Sequence, residues 1–182
     1  MDPKPFLKNL YELAKNIALV LILSFLIRTI IVQTFVVQGK SMEPNYFNRD
    51  YLLVEKISYR LAPPRRGQIV VFRNPENRRV DFVKRLIGLP EERVEFSGGN
   101  LKINGEPVDE PYLANLNQAS EPDFEIELGQ NQYFVLGDNR ANSLDSRRIG
   151  PISKQDLIGR VFVRVLPLTR FGLAAAPNYA GF

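Results

Sequence analysis

The chain has 182 residues, 45% of them hydrophobic, with 24 basic against 20 acidic side chains and a formal charge of +4. It contains no Cys and no His, which excludes disulfides, thiolate nucleophiles, thiolate metal sites and every Ser-His-Asp triad. A serine enzyme built on this chain needs another base, and Lys is the leading choice. The charges alternate in sign and no run of five basic residues occurs, so nucleic acid is not an expected partner. The pairs Arg65-Arg66 and Arg78-Arg79 read as solvated loop charges.

Residues 1–16 are polar and carry Lys4, Lys8 and Lys15. From Ile17 to Val37 all but five of 21 residues are apolar, and as helix they would span about 31 Å, close to the thickness of a bilayer core. Arg28 interrupts the run, and an arginine at mid-membrane costs roughly 2.5–3.5 kcal/mol. The preferred reading starts the helix near Leu10 and ends it near Arg28, which snorkels to the interface. Thr29 to Val37, rich in β-branched residues, is then a link or a first strand. A buried helix of a soluble protein and a cleaved signal peptide are the competing readings. No small-x-small cleavage site follows the apolar run before Ser41, which favours an uncleaved anchor. The N-terminal lysines place that end in the cytoplasm and the rest of the chain outside, although Arg28 lies on the wrong side for that rule. The expected division is residues 1–9 as a cytoplasmic tail, 10–37 as anchor and link, 38–167 as an extracytoplasmic β domain, and 168–182 as a loose C-terminal tail.

Beyond Gly39, β-rich runs alternate with turn signals. Tyr51 to Ile57, Gln68 to Phe72, Val80 to Leu86, Arg93 to Phe96, Leu101 to Ile103, Phe124 to Leu128, Gln132 to Leu136 and Gly159 to Leu166 read as strands. Ser97 to Asn100 reads as a hairpin turn, Asn104-Gly105 as another turn, and the runs flanking Gly129 as a strand pair. Tyr112 to Ser120 fits neither class. Many short strands between Gly and Pro turns imply a mainly β fold, an antiparallel barrel or sandwich, behind one N-terminal transmembrane helix.

Three segments can carry chemistry. Ser41 lies in VVQGKSMEP, where the chain leaves its apolar run, and Gly39 and Pro44 can fix a turn that exposes a hydroxyl and a backbone N–H. A hydrogen-bonding turn serine is the plainer reading. Lys84 lies in DFVKRLIG among apolar neighbours. Burial there would favour the neutral amine, the only form able to take a proton from serine. An exposed strand lysine, with Arg85 facing inward, is the alternative. The Gly-bounded loop GDNRANSLDSRRIG, residues 137–150, gathers Asp138, Asn139, Ser143, Asp145, Ser146 and Arg147. It can form an orienting hydrogen-bond network or merely a loop rich in Asx turns. A calcium site is disfavoured by its spacing and by Arg140 and Arg147.

Taken together, GKSMEP at 39–44, RGQIVVF at 66–72, KRLIGLP at 84–90 and GDNRANSLDSRRIG at 137–150 resemble type I signal peptidases, the membrane-anchored Ser/Lys proteases that remove signal peptides from exported preproteins. The boxes stand in the family's order and span most of the chain after the apolar run, as in compact single-anchor members. The resemblance implies that Ser41 is the nucleophile, that Lys84 is the general base, and that Ser143 hydrogen-bonds the lysine. It makes Asp145 and Arg147 paired structural supports and the Ser41 N–H an oxyanion donor. Where some relatives place a serine as second donor, this chain has Gly39, so a backbone N–H or a water is left for that role. Glu91-Glu92 stands where Gly-Asp is common in the family. A preference for small residues at −1 and −3 implies shallow apolar pockets, with Val37, Met42, Tyr46, Phe82 and Val83 as candidate lining. Preprotein signal peptides and membrane lipid are the implied partners, no metal or cofactor is implied, and nothing specifies an oligomer. Cell inner membrane and thylakoid membrane both fit. A soluble self-cleaving Ser/Lys repressor protease and a non-catalytic anchored β domain are the alternatives.

Overall fold

A computed structural model describes residues 3–98, 100–113, 123–177 and 179. Helix α1 (Pro3–Leu26) begins before Leu10, so that from Pro3 on the N-terminal residues are continuous with the apolar helix. Its stretch Lys8–Leu26 is long and apolar enough to cross a membrane, and none of it is buried against protein. From Ile17 on it is apolar on all sides but for Ser24, and such a helix needs a non-aqueous cover. The helix passes into one π-turn at Ile27–Ile31, which carries Arg28, and then into strand β1 (Val32–Val36). Of the β-branched run after Arg28, Val32–Val36 is strand, whereas Thr29, Ile30 and Ile31 complete the helical turn.

The main sheet is antiparallel and curled. Strand β1 pairs with β2 (Tyr51–Glu55), which pairs with β11 (Leu157–Leu166). The order continues through β3 (Ile69–Arg73), β4 (Asp81–Gly88), β9 (Gln132–Leu136) and β10 (Ile152–Ser153). Strand β12 (Gly172–Leu173) adds to β11. A second sheet runs β7 (Glu106–Pro107), β6 (Asn100–Ile103), β5 (Arg93–Ser97) and β8 (Phe124–Glu127). The mainly β, antiparallel architecture is as expected.

One pairing differs from expectation. The runs flanking Gly129 form no hairpin with each other: β8 pairs with β5, and β9 pairs with β4. The last long strand, β11, lies between β2 and β3. Gly159 permits this, because a Cβ there would stand 2.3 Å from the Glu55 carbonyl oxygen.

Three apolar clusters hold the domain. Leu52, Val54, Ile69, Val71 and Val161 pack with Val37, Met42 and Tyr46. Val70, Phe72, Leu86, Tyr133, Val135 and Ile152 form the second. Ile87, Val94, Leu101, Ile103, Phe134 and Leu136 join the second sheet to the first. Burying a Leu- or Phe-sized side chain contributes about 1.5–3 kcal/mol, so these clusters make the frame on which the polar loops are mounted.

Arg66 is not a solvated loop charge. It is 8% exposed and meets Glu92 through both terminal nitrogens, at 3.0 and 2.6 Å. Glu92 also accepts from the Leu89 N–H at 2.7 Å, and Glu91 adopts a φ of +66°. The Glu91-Glu92 departure thus keeps a tight turn, with a carboxylate tying it to the buried arginine. The expected loose tail is also corrected in its described part. Strand β12 pairs with Val163 and Arg164, the Ala174 N–H donates to the Phe162 carbonyl at 3.0 Å, and Tyr179 is 8% exposed within a core cluster. Residues 114–120 of the ambiguous stretch lie outside the described residues.

Candidate active site

Ser41 sits in a loop between β1 and β2 that is tied at several points. At its base, the Val37 N–H donates to the Asp50 carbonyl and the Arg49 N–H to the Val37 carbonyl, both at 2.9 Å. The Asp50 carboxylate is fully buried. It accepts from the Phe47 N–H at 2.9 Å, from Arg170 at 2.8 Å and from Arg164 at 3.3 Å. Gly39 takes a φ of +88°, a conformation that disfavours a side chain, and its N–H donates to Asn48 Oδ1 at 3.1 Å. Beneath the loop, Met42 and Tyr46 are anchored in the core.

Lys84 approaches from β4. Its Nζ lies 2.8 Å from Ser41 Oγ and 3.1 Å from the Val83 carbonyl oxygen, to which it donates. The Phe82 ring covers it, with the centroid 5.2 Å from Nζ. At 4% exposed, the amine is held out of water. Burial lowers its pKa to about 8. Asp145 and Asp138 act the other way, and Arg147 adds to the lowering. Ser41 and Lys84 are the two residues that sequence reasoning singled out for chemistry, and the fold brings them into hydrogen-bond contact.

The loop after β9 forms the floor. The Asn139 N–H donates to the Ser41 carbonyl at 3.0 Å. Gly137 passes so close beneath that a Cβ there would stand 2.5 Å from the Ser41 carbonyl oxygen and 2.2 Å from Ser143 Oγ. Asp145 and Arg147 are paired as expected, through Nε–Oδ1 and Nη2–Oδ2 contacts of 2.8 Å each. Asp145 also accepts from the Gly137 N–H at 2.9 Å. Burial alone would raise the Asp145 pKa, but the Arg147 hydrogen bond and charge and the Gly137 N–H outweigh it and hold the carboxyl below its ordinary value. The expected hydrogen bond from Ser143 to Lys84 is not formed. Ser143 Oγ is buried without a hydrogen-bond partner, near enough to Asp145 to help keep that carboxylate charged but short of bonding geometry.

The pocket candidates divide. Val37, Met42 and Tyr46 are 4%, 1% and 8% exposed and pack in one core cluster beneath the Ser41 loop. Phe82 and Val83 are half-buried beside the lysine. Among the described residues, the Ser41 N–H donates to no protein acceptor, and no three Asp or Glu side chains converge as a metal site.

Sequence reasoning missed a second buried ion pair. Arg85 meets Asp138 through Nε–Oδ1 at 2.8 Å and Nη2–Oδ2 at 2.7 Å, donates to the Gly67 carbonyl at 2.9 Å, and stacks 3.8 Å from the Tyr112 ring centroid. Asp138 also accepts from Asn45 at 2.8 Å. This pair ties the strand of Lys84 to the loops on both sides of Ser41. A signal was present: consecutive Lys and Arg in a strand buried on both faces require an acid for the arginine.

A dyad of this geometry in a histidine-free β domain is joined by likeness over almost the whole chain. Residues 10–166 match the family model "Signal peptidase, peptidase S26". The chain belongs to this signal peptidase family. It is 43% identical over 171 residues to a probable signal peptidase I-2 of Synechocystis sp., covering 89% of this chain and 76% of that protein. It is 39% identical to signal peptidase I P of Bacillus subtilis subsp. natto, over 89% of this chain and 92% of the other. A crystal structure of a signal peptidase I from Enterococcus faecalis V583 superposes with a TM-score of 0.50 at 35% identity, over 54% of this chain and 97% of that one. The chain is therefore a serine endopeptidase of the signal peptidase I type, with one apolar helix suited to anchoring it in a membrane.

Proposed function

We propose that this chain cleaves signal peptides from preproteins at a membrane surface, with Ser41 as nucleophile and neutral Lys84 as general base. The observation that carries the assignment is the 2.8 Å contact between Lys84 Nζ and Ser41 Oγ at a lysine held out of water. Lys84 takes the Ser41 proton as Oγ bonds to the scissile carbonyl carbon. The Ser41 N–H stabilises the resulting oxyanion. The lysine ammonium returns the proton to the leaving amine as the C–N bond breaks. The same lysine then deprotonates a water, which hydrolyses the ester and restores the Ser41 hydroxyl. Ser143, Asp145 and Arg147 support the floor of the site.

Helix α1 serves as the anchor, with Lys4, Lys8 and Lys15 on the cytoplasmic side and the β domain outside. Five residues of β1 span about 17 Å, which keeps the Ser41 loop close to the helix end and the lipid surface, where a cleavage site emerges. Phe82 and Val83 border a shallow apolar recess that excludes large side chains at −1 and −3.

Purified protein in detergent, given a preprotein with a small-x-small site, is expected to cut after the second small residue. Because only the neutral lysine is active, kcat/KM should rise about tenfold per pH unit on the acid side and level off above a midpoint near 8. A profile that is flat from pH 6 to 9, or that falls as pH rises, would overturn Lys84 as the base.

A further inference from the structure

We propose that the segment after β11, Gly172 to Pro177 together with Tyr179, is a strap that positions the catalytic dyad, with Tyr179 as its positioning residue. The inference rests on the Ser41/Lys84 reading above. The family-model match ends at residue 166, so the strap lies outside the part of the chain that the family model describes.

The strap reaches the site through a continuous stack. Its short strand β12 fixes the near end on β11, and the Ala174 N–H bonds to the Phe162 carbonyl. At the far end, Tyr179 is buried in the cluster that includes Ile87 and Leu136. Its hydroxyl lies 3.3 Å from that of Tyr112, and the two rings meet edge to face at 6.5 Å. Tyr112 stacks on Arg85, Arg85 grips Asp138, and Asp138 holds Asn45 in the nucleophile loop. Arg85 is the next residue to Lys84, and Asn139, whose N–H holds the Ser41 carbonyl, follows Asp138. Tyr179 and Pro177 also close on Gly67, whose carbonyl takes the third Arg85 hydrogen bond.

The physical role is exclusion of water. A buried arginine–carboxylate pair is rigid only while dry and fully hydrogen-bonded. Removing the Tyr179 ring opens the stack beside Arg85 and loosens the register between β4 and the loops on either side of Ser41. Small displacements of a dyad cost up to about a hundredfold in rate. They also readmit water to Lys84, whose low pKa derives mainly from burial.

The test compares the full-length chain with Tyr179→Ala, Tyr179→Leu and Tyr179→Phe in detergent, with cleavage measured across pH and melting temperatures recorded. Tyr179→Ala and Tyr179→Leu are expected to lose roughly ten- to a hundredfold in kcat with little change in KM. The midpoint of their acid limb should move to higher pH, and Tyr179→Phe should restore most of the rate. A folded Tyr179→Leu, or Tyr179→Ala, with wild-type kcat and midpoint would overturn the strap. Should the Ala variant fail to fold, the Leu variant, which keeps apolar bulk, decides alone. Failure of the wild type itself to cut, or to show the limb near pH 8, would instead count against the Ser41/Lys84 reading.

Discussion

Replacing Lys84 with Met is expected to lower kcat/KM by roughly 10⁴-fold or more while making the folded protein more stable at neutral pH, by about 1–3 kcal/mol. The rate loss follows from removing the proposed base in a chain with no His to substitute for it. The stability gain follows from linkage. Burial lowers the Lys84 pKa from 10.5 to about 8. Below pH 8 the amine is charged in both folded and unfolded chains, so the full penalty of burying it, about 3 kcal/mol, is present. Between pH 8 and 10.5 the folded chain has released a proton that the unfolded chain still holds, so wild-type stability rises with pH. Met has nearly the same shape and no such penalty. Urea unfolding in detergent at pH 7 and pH 10.5 checks this: the variant should lead at pH 7 and lose most of that lead at pH 10.5. A Met variant less stable than wild type at pH 7 would mean that the lysine is structural rather than held for chemistry.

Gly137→Ala should reduce kcat about a hundredfold and destabilise the fold by about 1–3 kcal/mol through overpacking. The added methyl would overlap the Ser41 carbonyl oxygen and Ser143 Oγ, at 2.5 and 2.2 Å. Either the Ser41 loop lifts away from Lys84 or the floor loop drops, and both lengthen the 2.8 Å contact. Gly129→Ala is the control, since its Cβ would meet only the flexible Gln132 side chain. The control should keep wild-type rate, and equal rates for the two variants would remove the close approach at Gly137 from the mechanism.

Strand positions were legible in this chain because turn residues separate alternating runs, and a period of two survives wherever one face is buried. Phe124–Glu127 shows the limit. Its alternation reveals a half-buried strand, but its partner, Arg93–Ser97, lies some thirty residues upstream, and the Gly129 turn signal is purely local. The C-terminal segment misled for a related reason. Ala, Gly and Pro read as loose, whereas a single aromatic, Tyr179, docks it in the core. Ser41 and Lys84 stood out only weakly in their settings, a turn serine and a strand lysine being the plainer readings, and the resemblance carried by four ordered boxes singled them out. Arg85 and Asp138 went unassigned because a buried ion pair between distant segments leaves no periodic trace. Nearness in sequence to Ser41 does not tell that Val37, Met42 and Tyr46 turn into one core cluster beneath the loop.

Mapping the site of acylation tests the Ser41/Lys84 assignment most directly. Wild-type protein, Ser41→Ala and Lys84→Met would each be treated with an acylating electrophile, and the adduct located by peptide mass spectrometry as a function of pH. The expected result is one adduct, on Ser41, formed at a rate that rises to a midpoint near pH 8 and is lost in both variants. An adduct on another residue, or none at Ser41 in protein that cleaves a preprotein, would contradict the assignment.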